Sequence, residues 1–463
     1  MNGESRHAHS AGHNAHHHSG HAAHAPSIET QTAYQGAYHA AQPRPGGRVV
    51  SVELEVREIE WQFVRGRATR AWGYNGQVPG PVLEAEVGDV LEVRLKNSLP
   101  EPTMIHWHGL RLLPPMDGTE NVQRPVNQGE TFTYRFALLD AGTFWYHPHF
   151  NETVQLERGL YGALVVRGPG EPQLDGERVL VLDDVALDEE GQIEPPGGWK
   201  ERHDGRQGDI RLVNGRQEPE LTMAAGVVER WRIVNASSAR YVRLSIGDRP
   251  FRILGTDGGL IGSPVEAHEV LLTPADRVDL AVGPFSEGEM VRVEALRQDR
   301  GTFRRQKRET FATLRIGAVA ESRAHVPARL RHIEPLVTGP VEPTREIRLG
   351  FKVRLNRGVD FTINRESHHR DQPVHVGELQ VWDVVNKTPV DHPFHLHGFF
   401  FQVLEVNGDS PAFLSWEDTI NVPARGRVRI AWLPDDRPGE WMYHCHILEH
   451  HAGGMMAHFE VVR

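Results

Sequence analysis

The sequence predicts an all-β protein built of sandwiches or barrels, and three observations carry that prediction. Apolar and polar residues alternate at period two along most of the chain. Clusters of Gly, Pro, Asn and Asp separate these runs, drawn from 46 glycines and 31 prolines. One strand-and-turn pattern then recurs at fixed offsets, which makes the chain three copies of one β-unit. No long amphipathic helix competes with this pattern.

Taken in order, residues 1–47 read as a disordered tail. Eight histidines fall between His7 and His24, spaced by Ala, Ser and Gly. A tract of this composition is a metal-capture candidate, against the plainer expectation of a solvated tail. From Val50 the alternation begins, with Val50, Val52, Leu54 and Val56. Leu91, Val93 and Leu95 follow, then Phe132, Tyr134 and Phe136. Later come Val242, Leu244 and Ile246, then Ile347, Leu349 and Phe351, then Val428, Ile430 and Trp432. Each is a half-buried strand, because alternate side chains share one face.

The repeat sets the domain organisation. Gly88–Asn97 leads through Pro100 to His106, His108 and Gly109, and Gly377–Asn386 leads through Pro389 to His395, His397 and Gly398. A third copy runs from Gly226 through Asn235 to Gly247, with Leu244 and Ile246 at the histidine positions. A second element pairs Gly129, Gly142, Tyr146, His147 and His149 with Gly426, Gly439, Tyr443, His444 and His446. Pro148 stands where the second copy has Cys445. The domains are expected at 48–170, 171–320 and 345–463, with 321–344 as a linker rich in charge, proline and glycine. The middle copy, lacking the histidines, reads as a spacer.

The whole chain narrows the function further. At 463 residues it exceeds one comfortable core. A net charge of -11 argues against a nucleic-acid partner. No apolar run is long enough to span a membrane. No apolar signal-peptide core stands at the N-terminus, which reads as a processed or truncated form. A lone cysteine excludes an intrachain disulfide.

That cysteine lies in Trp441–Met455, between His444 and His446, with His450 and Met455 downstream. Two histidines, a cysteine and a weak axial methionine make a blue-copper electron-transfer site. His392 supplies the further histidine, because it is an addition to the copy that owns Cys445. The matching position in the first copy is Thr103. His444 and His446 alternate to the other face of the strand, towards a second site wired through the Cys445 backbone. Eight histidines remain: His106, His108, His147, His149, His395, His397, His444 and His446. They are enough for three further coppers at the interface of the outer domains. Zinc also suits imidazole, but a lone thiolate beside a methionine favours copper.

These four histidine motifs resemble those of the multicopper oxidases, in their three-domain, laccase-like form. The resemblance runs from about residue 48 to 463 and implies three cupredoxin-like domains and four coppers. By resemblance His392, Cys445, His450 and Met455 bind the type 1 copper, and His106 and His395 the type 2 copper. His108, His147 and His446 then bind one type 3 copper, and His149, His397 and His444 the other. The implied reaction takes single electrons from phenols or aromatic amines, passes them through Cys445, and reduces O2 to water. A periplasmic or secreted location comes with the family.

Water formation needs protons. Asp117, in Met-Asp-Gly after His108, matches an acid that lies near the cluster in the family; otherwise it is a turn residue. The position after the last type 1 histidine, often an acid in the family, is here His451. That departure puts a second relay carboxylate in doubt, and His451 itself becomes a proton shuttle candidate, with an intrinsic pKa near about 6.5. Alternation turns the nearby Glu449 elsewhere. Trp416, Glu417 and Asp418 are read as lining a substrate cleft, and His368, His369, His375 and His458 as surface or satisfied residues. The alternatives are a cuprous oxidase of copper tolerance, a metal-free binding protein on the same fold, and a copper nitrite reductase. Eight methionines form no methionine-rich insert, and the intact ligand set disfavours the last two.

Overall fold

A computed structural model describes residues 47–303, 306–354 and 358–463. The histidine tract His7–His24 lies outside the described residues. Among those described, the chain is all-β, and helix is confined to the short segments Pro114–Met116, Glu152–Gln155, Trp199–Asp204 and Leu448–Ala452. No described helix is long and apolar enough to cross a membrane.

Among the described residues the strands form six sheets, two from each successive stretch of chain. Strands between Val49 and Arg167 make two four-stranded sheets around Leu54, Leu91, Leu95, Trp107 and Leu164. Those between Gly176 and Val319 make seven- and five-stranded sheets around Trp231, Leu244, Ile246 and Leu280. Those between Arg345 and Val462 make five- and six-stranded sheets around Trp382, Phe394, Ile430 and Phe459. The alternation sets these faces: Leu91, Val93 and Leu95 are buried while Arg94 and Lys96 face solvent. Phe351 departs from its expected pattern. It is 40% exposed, on a hairpin in which it pairs with Phe361.

The repeat has a physical basis in each copy. The strand ending at Asn97 runs parallel to Val49–Trp61, the one ending at Asn235 to Gly176–Val185, and the one ending at Asn386 to Arg345–Arg354. In all three, the asparagine Oδ1 accepts from the amide two residues on, at Leu99, Ser237 and Thr388. Its Nδ2 donates to carbonyls across the turn, at Val126, Leu272 and Val422. Asparagine suits this local turn because its side chain mimics backbone. The closing glycines Gly109, Gly247 and Gly398 all have positive φ, of 85°, 61° and 72°, a conformation costly for residues with a Cβ.

Residues 321–344 contain no strand. They nevertheless lie against the body: Ile333 and Leu336 pack on the first core and Leu330 on the second. Gln402 holds them by donating to Glu334 O and accepting from Leu336 N, both at 2.7 Å.

Candidate metal centre

Two pairs of antiparallel strands build the histidine cluster. His106–His108 lies beside Gly142–His147, with His106 opposite His147. His392–Leu396 lies beside Gly439–Cys445, with His395 opposite His444 and Phe394 opposite Cys445. Period-two alternation sends the paired histidines inward from both sides. Eight rings meet there; His108 stacks on His395 at 3.8 Å, and His106 lies 4.1 Å from His397. His108 is 5.1 Å from His446, and His149 is 5.4 Å from His444.

One nitrogen of most rings is tied outward. The Nδ1 atoms of His106, His147, His395 and His444 face the carbonyls of Asp117, Pro148, Asp418 and Cys445 at 2.8–2.9 Å. His397 Nδ1 meets Asp117 Oδ2 at 2.9 Å, His149 Nδ1 meets Glu152 Oε1 at 2.9 Å, and His108 Nε2 meets Asp418 Oδ1 at 3.1 Å. The opposite nitrogens of His106, His108, His147, His149 and His395 are buried and unpartnered within the protein. Buried polar atoms without partners are costly. Their convergence fits a metal, and the outward bonds fix ring orientation as metal-ligand histidines require.

Burial holds the His106, His108, His397, His444 and His446 imidazoles well below their ordinary pKa, and His147 at about 3. A metal ligand must be a neutral imidazole, so these groups are ready for one. His149 differs: burial would lower it, but the Glu152 carboxylate raises it.

The second site lies across the strand in the third core. Cys445 Sγ is 3.4 Å from His392 Nδ1 and 3.7 Å from His450 Nδ1, and those two nitrogens are 3.1 Å apart. His392 Nε2 is fixed by Thr388 Oγ1 at 2.8 Å, next to the Asn386 turn. Phe361 stacks on His450 at 3.9 Å. Met455 is fully buried in the same core, and its carbonyl accepts from Cys445 N at 3.1 Å. Burial pushes the Cys445 thiol up to about 12. A thiolate there needs a bound cation, and a thiolate with two imidazoles fits copper.

Three family models, each described as multicopper oxidase, match residues 55–171, 186–287 and 340–463. The multicopper oxidase MmcO of Mycobacterium tuberculosis is 30% identical, covering 93% of this chain and 90% of its own. This chain belongs to the multicopper oxidases. A solved multicopper oxidase from Campylobacter jejuni, described as a metallo-oxidase, superposes with a TM-score of 0.80 at 32% identity. That alignment covers 91% of this chain and 93% of the other. The cell division protein FtsP of Xenorhabdus nematophila is also similar, at 28% identity over 86% of each chain. The all-β fold is therefore cupredoxin-like, and the family's typical complement is four coppers.

As a multicopper oxidase the chain is a copper oxidoreductase that uses O2, and its carboxylates bear on that chemistry. Asp117 lies where the sequence suggested, between His106 and His397. Burial pushes its carboxyl up to about 7, against the pull of His149 and Arg437. His451 stacks on His444 at 4.3 Å and meets Glu152 Oε2 at 2.8 Å through Nδ1. Glu152 was missed by sequence reasoning: it stands three residues after His149, but its partner His451 is 299 positions away. Burial opposes its ionisation, yet His149 and His451 hold it well below the ordinary range. His149, Glu152 and His451 line a cleft of about 210 Å³, together with Asn121, His368 and His458.

Two expectations need correction. Trp416, Glu417 and Asp418 do not line a substrate cleft. Trp416 is buried in the first core, and Asp418 lies beneath the histidine cluster, gripped by Arg277. Nor is the middle stretch a bare spacer. Its Arg277 orients Asp418, and its His203 carbonyl accepts from His450 Nε2 at 2.9 Å. Both contacts are long-range and leave no local sequence signal. Glu449 does turn away, accepting from Arg206 N at 3.0 Å.

Proposed function

We propose that this multicopper oxidase is laccase-like, oxidising phenols and aromatic amines by single electrons and reducing O2 to water. The carrying observation is the separation of a Cys445 site from a histidine cluster with only one strand between them. His392, Cys445, His450 and Met455 would hold the type 1 copper, and His106 and His395 the type 2 copper. His108, His147 and His446 would hold one type 3 copper, and His149, His397 and His444 the other. Copper supplies the one-electron oxidation and the dioxygen chemistry.

The chain's own groups do the rest. Cys445 O accepts from His444 Nδ1 at 2.9 Å, so a covalent and hydrogen-bonded path joins the two ligand sets. Asp117 Oδ2 accepts from His397 Nδ1, which leaves His397 Nε2 for copper, and the Asp117 carboxyl, pushed up to about 7, takes up and releases protons beside the cluster. Glu152 and His451, at the wall of the cleft, connect His149 and His444 to solvent and supply protons. Asp418, fixed by Arg277, keeps His108 and His395 in place.

A second function, cuprous oxidation, is favoured by the likeness to the Campylobacter metallo-oxidase. Against it stands the lack of a methionine-rich insert among eight methionines. Oxygen uptake by fully copper-loaded protein, fed a phenol or Cu(I), separates them. The laccase-like function requires faster uptake with the phenol; uptake with Cu(I) alone would overturn it. A periplasmic or secreted location goes with this function and is checked by cell fractionation.

A further inference from the structure

We propose that the cleft beside the cluster carries a separate site for Cu(I), formed by Met442, Met456 and His458, through which copper reaches the histidine cluster. The site follows from membership of the family and does not depend on which reductant the enzyme uses. Strand alternation builds it. On Gly439–Cys445, the side chains of Trp441, Tyr443 and Cys445 pack into the third core. On Met456–Val462, those of Ala457 and Phe459 do the same, with Met455 just before them. The residues between turn to the other face: Met442 and His444 on the first strand, Met456 and His458 on the second. The register sets Met442 opposite His458 and His444 opposite Met456. Directly opposed side chains have Cβ atoms about 4.5–5.5 Å apart, close enough to share one ion.

Met442, Met456 and His458 all line the cleft of about 210 Å³. Two thioethers and an imidazole make a soft, neutral donor set, and thioethers select Cu(I) over harder divalent ions. The Asn121 side-chain amide meets His458 Nδ1, which leaves Nε2 for a metal, as the outward bonds do for the cluster rings. Burial holds the His458 imidazole down to about 4, so it is neutral and open to a cation. Exposed His368 also lines the cleft. Its φ is 54°, an uncommon conformation for a residue with a Cβ, and its N–H donates to Gly454 O at 3.0 Å. That backbone sets one more imidazole where an ion enters. Glu120 and Glu152 add negative charge to the same walls.

The site adjoins the cluster. Met456 directly opposes His444, and the His149 ring, 5.4 Å from His444, lines the same cleft. An ion held by the two thioethers and His458 passes to His444 and His149 by exchange of ligands. It stays Cu(I) throughout, so no electron moves and no oxidant is needed. Cys445 and Met455 lie on the opposite face, in the third core, so the type 1 site fills by another way.

The test uses the full-length protein, with Ag(I) as a redox-inert stand-in for Cu(I). Copper-loaded wild type is given Ag(I) in excess, so that the histidine tract His7–His24 is filled too. Silver X-ray absorption should then show sulfur as well as nitrogen around the metal. Nitrogen alone would overturn the site without need of any variant. The sulfur signal should shrink in the double variant Met456→Leu, His458→Gln, whose blue band checks its fold; an undiminished signal would also overturn the site. For the port, metal-free protein receives limiting Cu(I) without oxygen, and air is admitted after set times. The near-ultraviolet band of the type 3 pair reads cluster filling, and the blue band reads type 1 filling. In the variant, cluster filling relative to type 1 filling should slow at least about tenfold, the scale of a disturbed metal shell. Final copper content at saturating Cu(I) should match the wild type. An unchanged ratio of filling rates would overturn the port, even where Ag(I) binding is weakened.

Discussion

Glu152 joins His149 and His451 through its two carboxylate oxygens, at 2.9 Å and 2.8 Å. The first histidine belongs to the cluster; the second stacks on another cluster ring, His444. Glu152→Gln keeps the shape but loses an ionised acceptor for one of them. Oxygen-dependent turnover should fall about a hundredfold, the low end for a lost general acid–base group. Anaerobic bleaching of the blue band by a phenol should keep its rate. Stopped-flow measurement of both steps checks this. Equal slowing of the two, or of neither, would contradict a proton-supply role.

Cys445→Ser should abolish the blue absorption and oxidase turnover while copper remains bound at the histidine cluster. The thiolate gives the intense band, and the cluster ligands project from the opposite face of the strand. Visible spectroscopy and metal analysis read this. Retained turnover would contradict the Cys445 assignment.

Met455→Leu should raise the type 1 potential. Leucine has similar volume, so packing in the third core changes little. It has no sulfur donor to favour the oxidised metal. Anaerobic redox titration of the blue band measures the change. A potential that stays put or falls would remove Met455 as axial ligand and turn attention to Met456.

Stability should depend on pH through Glu157, where the three stretches of chain meet. Burial, with Asp184 and Glu449 adding, pushes its carboxyl from 4.5 up to about 8 despite Arg206 at 3.0 Å. A folded pKa above the unfolded one means that the native state binds the extra proton. That stability is complete below pH ~4.5 and is lost as pH rises towards ~8, by up to about 1.4 kcal/mol per pH unit. Glu157→Gln should flatten the fall in urea midpoint between pH 5 and 8, whatever its effect on absolute stability. Parallel curves for variant and wild type would contradict this.

Much of the fold was legible because its signals are local. Alternation marked the strands, and Asn97, Asn235 and Asn386 recur because each makes the same turn contacts. The histidine motifs were legible for the same reason: a His-x-His on a strand aims both rings one way. What escaped were pairings across the chain. Glu152 needed His451, 299 positions on, and Asp418 needed Arg277 from the middle stretch. Trp416–Asp418 was misplaced because its partners, Thr256, Asp257 and Arg277, come from that same stretch. The His203 carbonyl is a main-chain group and carries no residue identity at all.

The most direct measurement of the central claim is the stoichiometry of reductant to dioxygen in fully copper-loaded protein. Four phenols should be consumed per O2, with no hydrogen peroxide formed. Two phenols per O2 with accumulating peroxide, or no consumption at full copper occupancy, would contradict the account.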